Sequence, residues 1–160
     1  YSKAANKLDS GELTVDGIHA VQVHASYQGS IEAELELVDA IRAEVGDGVE
    51  VWRAVSMTTP EGAQVATALL GSVDKLVLDA HDGGTGESFD WAEIPEEVKN
   101  HALLAGGIGP DNVADALSAG CLGVDLNSGV EYPSTAGQWA GHKDAGALRR
   151  AFTTIRNFHT

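Results

Sequence analysis

Residues 102–127, ALLAGGIGPDNVADALSAGCLGVDLN, decide the fold class. The apolar run Ala102–Gly107 ends on two glycines, Pro110 opens a segment that runs to Ala119, and a second apolar run, Leu122–Asn127, follows directly. Runs this short, bounded by glycine, are strand candidates. Proline suits the first turn of the segment between them, where its absent N–H would have no helical acceptor. Strand, helix and strand in so few residues require a crossover between parallel strands, the βαβ unit.

The same unit repeats toward the N-terminus. Strands are expected at His19–Ala25, Val49–Ser56 and Lys75–Ala80, each followed by a helical pattern. In Ile31–Glu44 the apolar positions Ile31, Leu35, Val38 and Ile41 recur at helical spacing, and Pro60–Leu70, Ala92–Asn100 and Lys143–Phe158 complete the alternation. Ser2–Leu13 reads as an opening helix with no strand before it, and Glu131–Gly141 as a long loop after the last strand. The expectation is an α/β fold, one domain over residues 1–160, of a helix followed by five βα units. A complete (βα)8 barrel takes at least about 200 residues, so a barrel of this kind is represented here in part. The chain opens at Tyr1 without a methionine, which suggests a processed or incompletely represented product.

Composition narrows the function. Ten Lys and Arg against 24 Asp and Glu give a formal net charge of -14, which repels nucleic-acid backbones and anionic membranes. No stretch approaches the roughly 18 apolar residues of a membrane span, and no signal-peptide pattern opens the chain. The single Cys121 excludes an internal disulfide and suits a reducing cytoplasm. It also enters its strand at the N-terminal end, the wrong end of a barrel for chemistry. The six histidines show no paired spacing on a helix, so no metal is expected.

In a parallel barrel the ligand lies at the C-terminal ends of the strands. Alternation groups Gln22 with His24, Val51 with Arg53, Val77 with Asp79, and Gly123 with Asp125 and Asn127. These are the faces expected to meet a ligand, with Trp52 turned to the helices. One strand-terminal aspartate often does no more than cap the next turn. Several polar strand ends converging carry more weight. Glycine turns follow three strands, at Gly83-Gly84-Thr85-Gly86, Gly106-Gly107-Ile108-Gly109 and Asn127-Ser128-Gly129. Any one alone could be a plain turn, but the last two follow the final two strands, where barrel enzymes frequently hold a phosphate. Backbone N–H groups there allow an acidic protein to bind an anion.

The segments VQVHA (21–25), VWRAVS (51–56), VDKLVLDAHDGGTGESFDW (73–91), LLAGGIGPDNVADAL (103–117) and GVDLNSGVE (123–131), with HKD at 142–144, resemble phosphoribosylanthranilate isomerase of tryptophan biosynthesis. The likeness is to the form found in bifunctional bacterial enzymes, and covers the chain from about Ile18 onward. It implies a TIM (βα)8 barrel whose strands four to eight are the five read here. By the same resemblance Asp79 is the general acid, His24, Arg53 and Asp125 meet the substrate, and Gly106, Gly107, Ser128 and Gly129 cradle its phosphate. The reaction implied is an Amadori rearrangement of a small phosphorylated substrate without cofactor or metal. The family's first-strand K-x-C-G motif, whose cysteine is the general base, has no counterpart here. A chain limited to these residues is therefore expected to be inactive alone, to need a preceding segment, or to associate through open sheet edges. The alternative is a non-catalytic barrel fragment serving as a folding or interaction module. The related sugar isomerisation of histidine biosynthesis fits less well, because its substrate carries two phosphates.

Overall fold

The computed structural model describes residues 18–79 and 90–158. The expected opening helix, the 83–86 glycine turn, His81 and His159 lie outside the described residues. The order of elements is β1 (Ala20–Val23), α1 (Ile31–Val45), β2 (Glu50–Ser56), α2 (Gly62–Ala68), β3 (Lys75–Asp79), α3 (Glu96–Lys99), β4 (Ala102–Ala105), α4 (Val113–Ser118), β5 (Gly123–Val124) and α5 (Ala145–Asn157). All pairings between these strands are parallel, in the sequential order β1-β2-β3-β4-β5. Five expected strands are thus observed, in the order of a barrel wall.

Local chemistry sets the element ends. Ser30 caps α1 by accepting from the Ala33 N–H at 3.2 Å, with Glu32 and Glu34 in the first turn, where carboxylates oppose the positive end of the helix dipole. Gly46, at φ 78°, ends that helix. The helix expected over Ala92–Asn100 divides into a single 3-10 turn, Trp91–Glu93, and α3. Pro95 is the cause: the preceding Ile94 is forced to extended backbone, φ -65° and ψ 123°. The last strand also shortens. After Val124 the Asp125 N–H still bonds the Leu104 carbonyl at 2.8 Å, but the chain then enters a 3-10 turn, Ser128–Val130.

The larger core lies between sheet and helices, where Val51, Val55, Leu76, Leu78 and Leu104 meet Val38, Leu69, Val98, Val113 and Ala151. A smaller cluster on the other face joins Ala54, Val77 and Ala105 to Trp52 and Leu103. This reverses the expectation for β2: Val51 and Arg53 are on the helix side, and Trp52 is on the opposite side. The reversal has a specific cause, because Glu34 on α1 supplies a buried carboxylate for Arg53. A guanidinium can then be buried where an apolar residue would otherwise be needed. Trp52 in turn donates to Glu50 at 2.7 Å and lies beneath the Lys75 ammonium, 5.1 Å from the ring centroid.

Candidate active site at the C-terminal strand ends

A cavity of about 300 Å³ opens at the C-terminal ends of the strands. His24 follows β1, Asp79 ends β3, Gly106 and Gly107 follow β4, and Asp125, Asn127 and Ser128 follow β5; all line it, above a floor of Val77 and Ala105. Of the residues singled out from sequence, His24, Asp79, Gly106, Gly107, Asp125 and Ser128 are therefore brought together. Gly129 and Arg53 are not among the lining residues.

Gly129 sits behind the residues that line the cavity. A Cβ there would lie 2.3 Å from the Ile108 carbonyl oxygen, and one on Gly109 would lie 2.2 Å from the Gly129 oxygen. The two glycine loops therefore meet backbone to backbone, and each needs the other's missing side chain. Gly106 and Gly107 adopt φ 98° and 63°, in the left-handed region that other residues enter at a cost. Among the described residues the main-chain N–H groups of Gly107 and Ser128 find no carbonyl acceptor. Donors left open in a concave site suit an anion.

Two supporting side chains lie in motifs quoted from the sequence but had no role assigned to them there. Asn112 accepts from the Gly109 N–H at 2.8 Å and donates to the Gly107 carbonyl at 3.3 Å, so it fixes the turn that carries the first loop. Its place just before α4, at the end of GPDN, was the available signal. Lys143, expected to open the last helical segment, donates to the Asn127 backbone carbonyl at 3.0 Å, to its side-chain oxygen at 2.5 Å, and to Glu131 at 2.6 Å. Sixteen residues separate lysine from asparagine, so no local pattern announces this contact.

His24 is held on one side by the Gln22 side chain, with 2.7 Å between the two nitrogens. Cys121 is half-buried at the opposite end of the sheet, and burial pushes its thiol pKa up, away from a reactive thiolate. No group of three His, Cys, Asp or Glu side chains among the described residues is placed to hold a metal. No helix among them is long and apolar enough to cross a membrane.

Known proteins resemble this chain in sequence and in fold. The chain is 61% identical over 158 residues to the tryptophan biosynthesis protein TrpCF of Corynebacterium glutamicum, covering 98% of this chain and 33% of that protein. It is 38% identical to TrpCF of Haemophilus influenzae, covering 86% of this chain and 27% of that one. The chain thus spans about a third or less of these curated relatives. Among solved structures, phosphoribosyl anthranilate isomerase from Thermus thermophilus superposes with a TM-score of 0.63 at 26% identity, over 88% of this chain and 62% of that one. The enzyme from Thermococcus kodakaraensis gives 0.57 at 29% identity, over 88% and 64%. The family described as N-(5'phosphoribosyl)anthranilate (PRA) isomerase matches residues 11–152, and with its parallel strands, paired glycine loops and strand-end aspartates the chain belongs to that family.

Proposed function

We propose that this chain provides the acid and the anion cradle of a phosphoribosylanthranilate isomerase acting in tryptophan biosynthesis. The observation that carries the reading is the shared cavity: the Asp79 carboxyl group and the glycine loops at Gly106-Gly107 and Ser128 line the same space. In the Amadori rearrangement, an acid protonates the furanose ring oxygen while the C1′–O bond breaks and the aniline nitrogen forms a Schiff base. A base then removes the C2′ proton, giving the enol product. Asp79 takes the acid role, with the phosphate anchored through main-chain N–H groups so that the ring oxygen falls near the carboxyl group.

His24 and Asp125 are assigned to the substrate's remaining polar groups. Gly129 acts in the phosphate cradle by its backbone and by allowing the two loops to meet. Arg53 is turned to the helix side, so direct contact with substrate is not assigned to it. The general base belongs to the family's K-x-C-G strand, outside this sequence. No step requires a cofactor, and a cytoplasmic location is proposed with this role.

The test is Asp79→Asn in the full-length enzyme carrying this chain. Folding is expected to survive while turnover of phosphoribosylanthranilate falls by about 10²–10⁴-fold, the usual contribution of a positioned acid. Turnover near that of the unsubstituted enzyme overturns the assignment.

A further inference from the structure

Arg53 and Glu34 are 2% and 0% exposed, and neither reaches the cavity. The guanidinium grips the carboxylate as a fork, Nε to Oε2 at 3.0 Å and Nη2 to Oε1 at 3.1 Å. Its remaining donors turn to main-chain carbonyls: Nη1 to Ala54 and, at 3.5 Å, to Val23, and Nη2 to Ser26 at 3.5 Å. Glu34 Oε1 also accepts the Gln28 N–H at 2.9 Å. The groups gathered in this way flank His24, with Val23 before it and Ser26 and Gln28 after it.

Among the described residues, little else holds that segment. Residues 24–29 are exposed, β1 is four residues long, and it lies at an edge of the described sheet. Burying a charge pair carries a desolvation penalty that well-packed apolar residues avoid, so stability alone does not explain its presence between α1 and β2. A loop whose side chains face water has no apolar anchor, and its backbone groups must be held by polar partners.

We propose that the buried Glu34–Arg53 pair is a positioning device: it fixes the backbone on both sides of His24 and so delivers the imidazole to the cavity. The proposal rests on the reading that His24 meets the substrate, and predicts that the pair acts on the reaction only through this loop.

The decisive variant is the double substitution Glu34→Leu with Arg53→Met, in the full-length enzyme carrying this chain. Replacing both charges by apolar residues of similar volume is expected to preserve the fold, which circular dichroism and thermal unfolding check. Arg53→Lys is the second variant. It keeps the charge but removes the fork and the reach to the loop carbonyls. In either variant, NMR order parameters of the His24–Gln28 amides are expected to drop from about 0.85 to below about 0.6. With phosphoribosylanthranilate, kcat/KM is expected to fall by about ten- to a hundredfold. In a His24→Ala background the double substitution is expected to cost no more, because residues acting through one contact are not additive.

If Asp79→Asn leaves turnover intact, the isomerase reading fails, while the order parameters still decide whether the pair holds the loop. Unchanged loop order and kcat/KM in a folded variant would overturn the proposal. So would a loss that adds fully to that of His24→Ala.

Discussion

At Gly129 an added Cβ would stand 2.3 Å from the Ile108 carbonyl oxygen and 2.7 Å from that of Gly107. Both contacts are with backbone, which cannot swing aside as a flexible side chain can. Gly129→Ala is therefore expected to displace the loop after β4, with a stability loss of about 1–3 kcal/mol, the usual cost of overpacking. Because one of the two displaced carbonyls belongs to Gly107, affinity for a phosphorylated ligand such as ribose 5-phosphate should fall as well. Gly120→Ala is the control. That glycine also has positive φ, 82°, but the nearest atom to its Cβ is a Lys99 side-chain carbon at 3.9 Å. It should lose about 1 kcal/mol to backbone strain and leave ligand affinity unchanged. Urea unfolding and calorimetry separate the two. Equal affinity of Gly129→Ala and the unsubstituted protein would show that the loops need not touch in order to bind.

Between elements, Asp74 has a comparable role on the side away from the cavity. Its carboxylate, just before β3, accepts the Val51 N–H of β2 at 2.8 Å and the Arg42 guanidinium of α1 at 2.9 Å. The Val51 hydrogen bond, followed by Arg42, holds its pKa below the ordinary 3.8 against the opposing effect of partial burial. A carboxyl group with a depressed folded pKa stabilises the fold above its unfolded pKa, and this contribution is lost as pH falls through the folded value. Urea midpoints of the native protein should therefore drop below about pH 4, and those of Asp74→Asn should depend less on pH there. Identical acid profiles would remove Asp74 from the account. Arg42 and Asp74 are about one-third exposed, so screening by solvent keeps the effect modest. These ties also show what a sequence can reveal. Short apolar runs between Gly and Pro marked all five strands, because parallel strands buried by helices read as continuous hydrophobic stretches. The strand-end residues His24, Asp79 and Asp125 followed from the same pattern. Alternation separated the two faces of β2 but could not tell which one met the helices. That depended on Glu34, nineteen residues from Arg53 within the acidic run ELELVD, where a carboxylate looks solvent-facing. The contact of Lys143 with Asn127 was hidden for a similar reason, since the two lie sixteen residues apart across a loop.

Across the molecule, the described sheet has two edge strands, β1 and β5, and one face only thinly covered. On that face Glu50, Trp52 and Lys75 satisfy one another by hydrogen bonds and a cation–π contact rather than by packing against further strands. Edge strands present unpaired N–H and C=O groups, which invite pairing with another chain. The matched isomerase structures extend beyond the region shared with this chain, which covers 62% and 64% of them. A polypeptide limited to residues 1–160 is accordingly expected to associate or to order incompletely, and to lack turnover. Asp79 is the proposed acid for the sugar ring, but proton removal from C2′ needs a base facing the same cavity. Its one cysteine lies at the far end of the sheet, with its pKa raised. The experiment is to purify this polypeptide, confirm its mass, follow its sedimentation against concentration, and assay phosphoribosylanthranilate conversion. Concentration-dependent association without turnover is the expected result. Robust turnover by a monomer would mean that a residue within these strands serves as the base, and that the open edges neither demand a partner nor limit the chemistry.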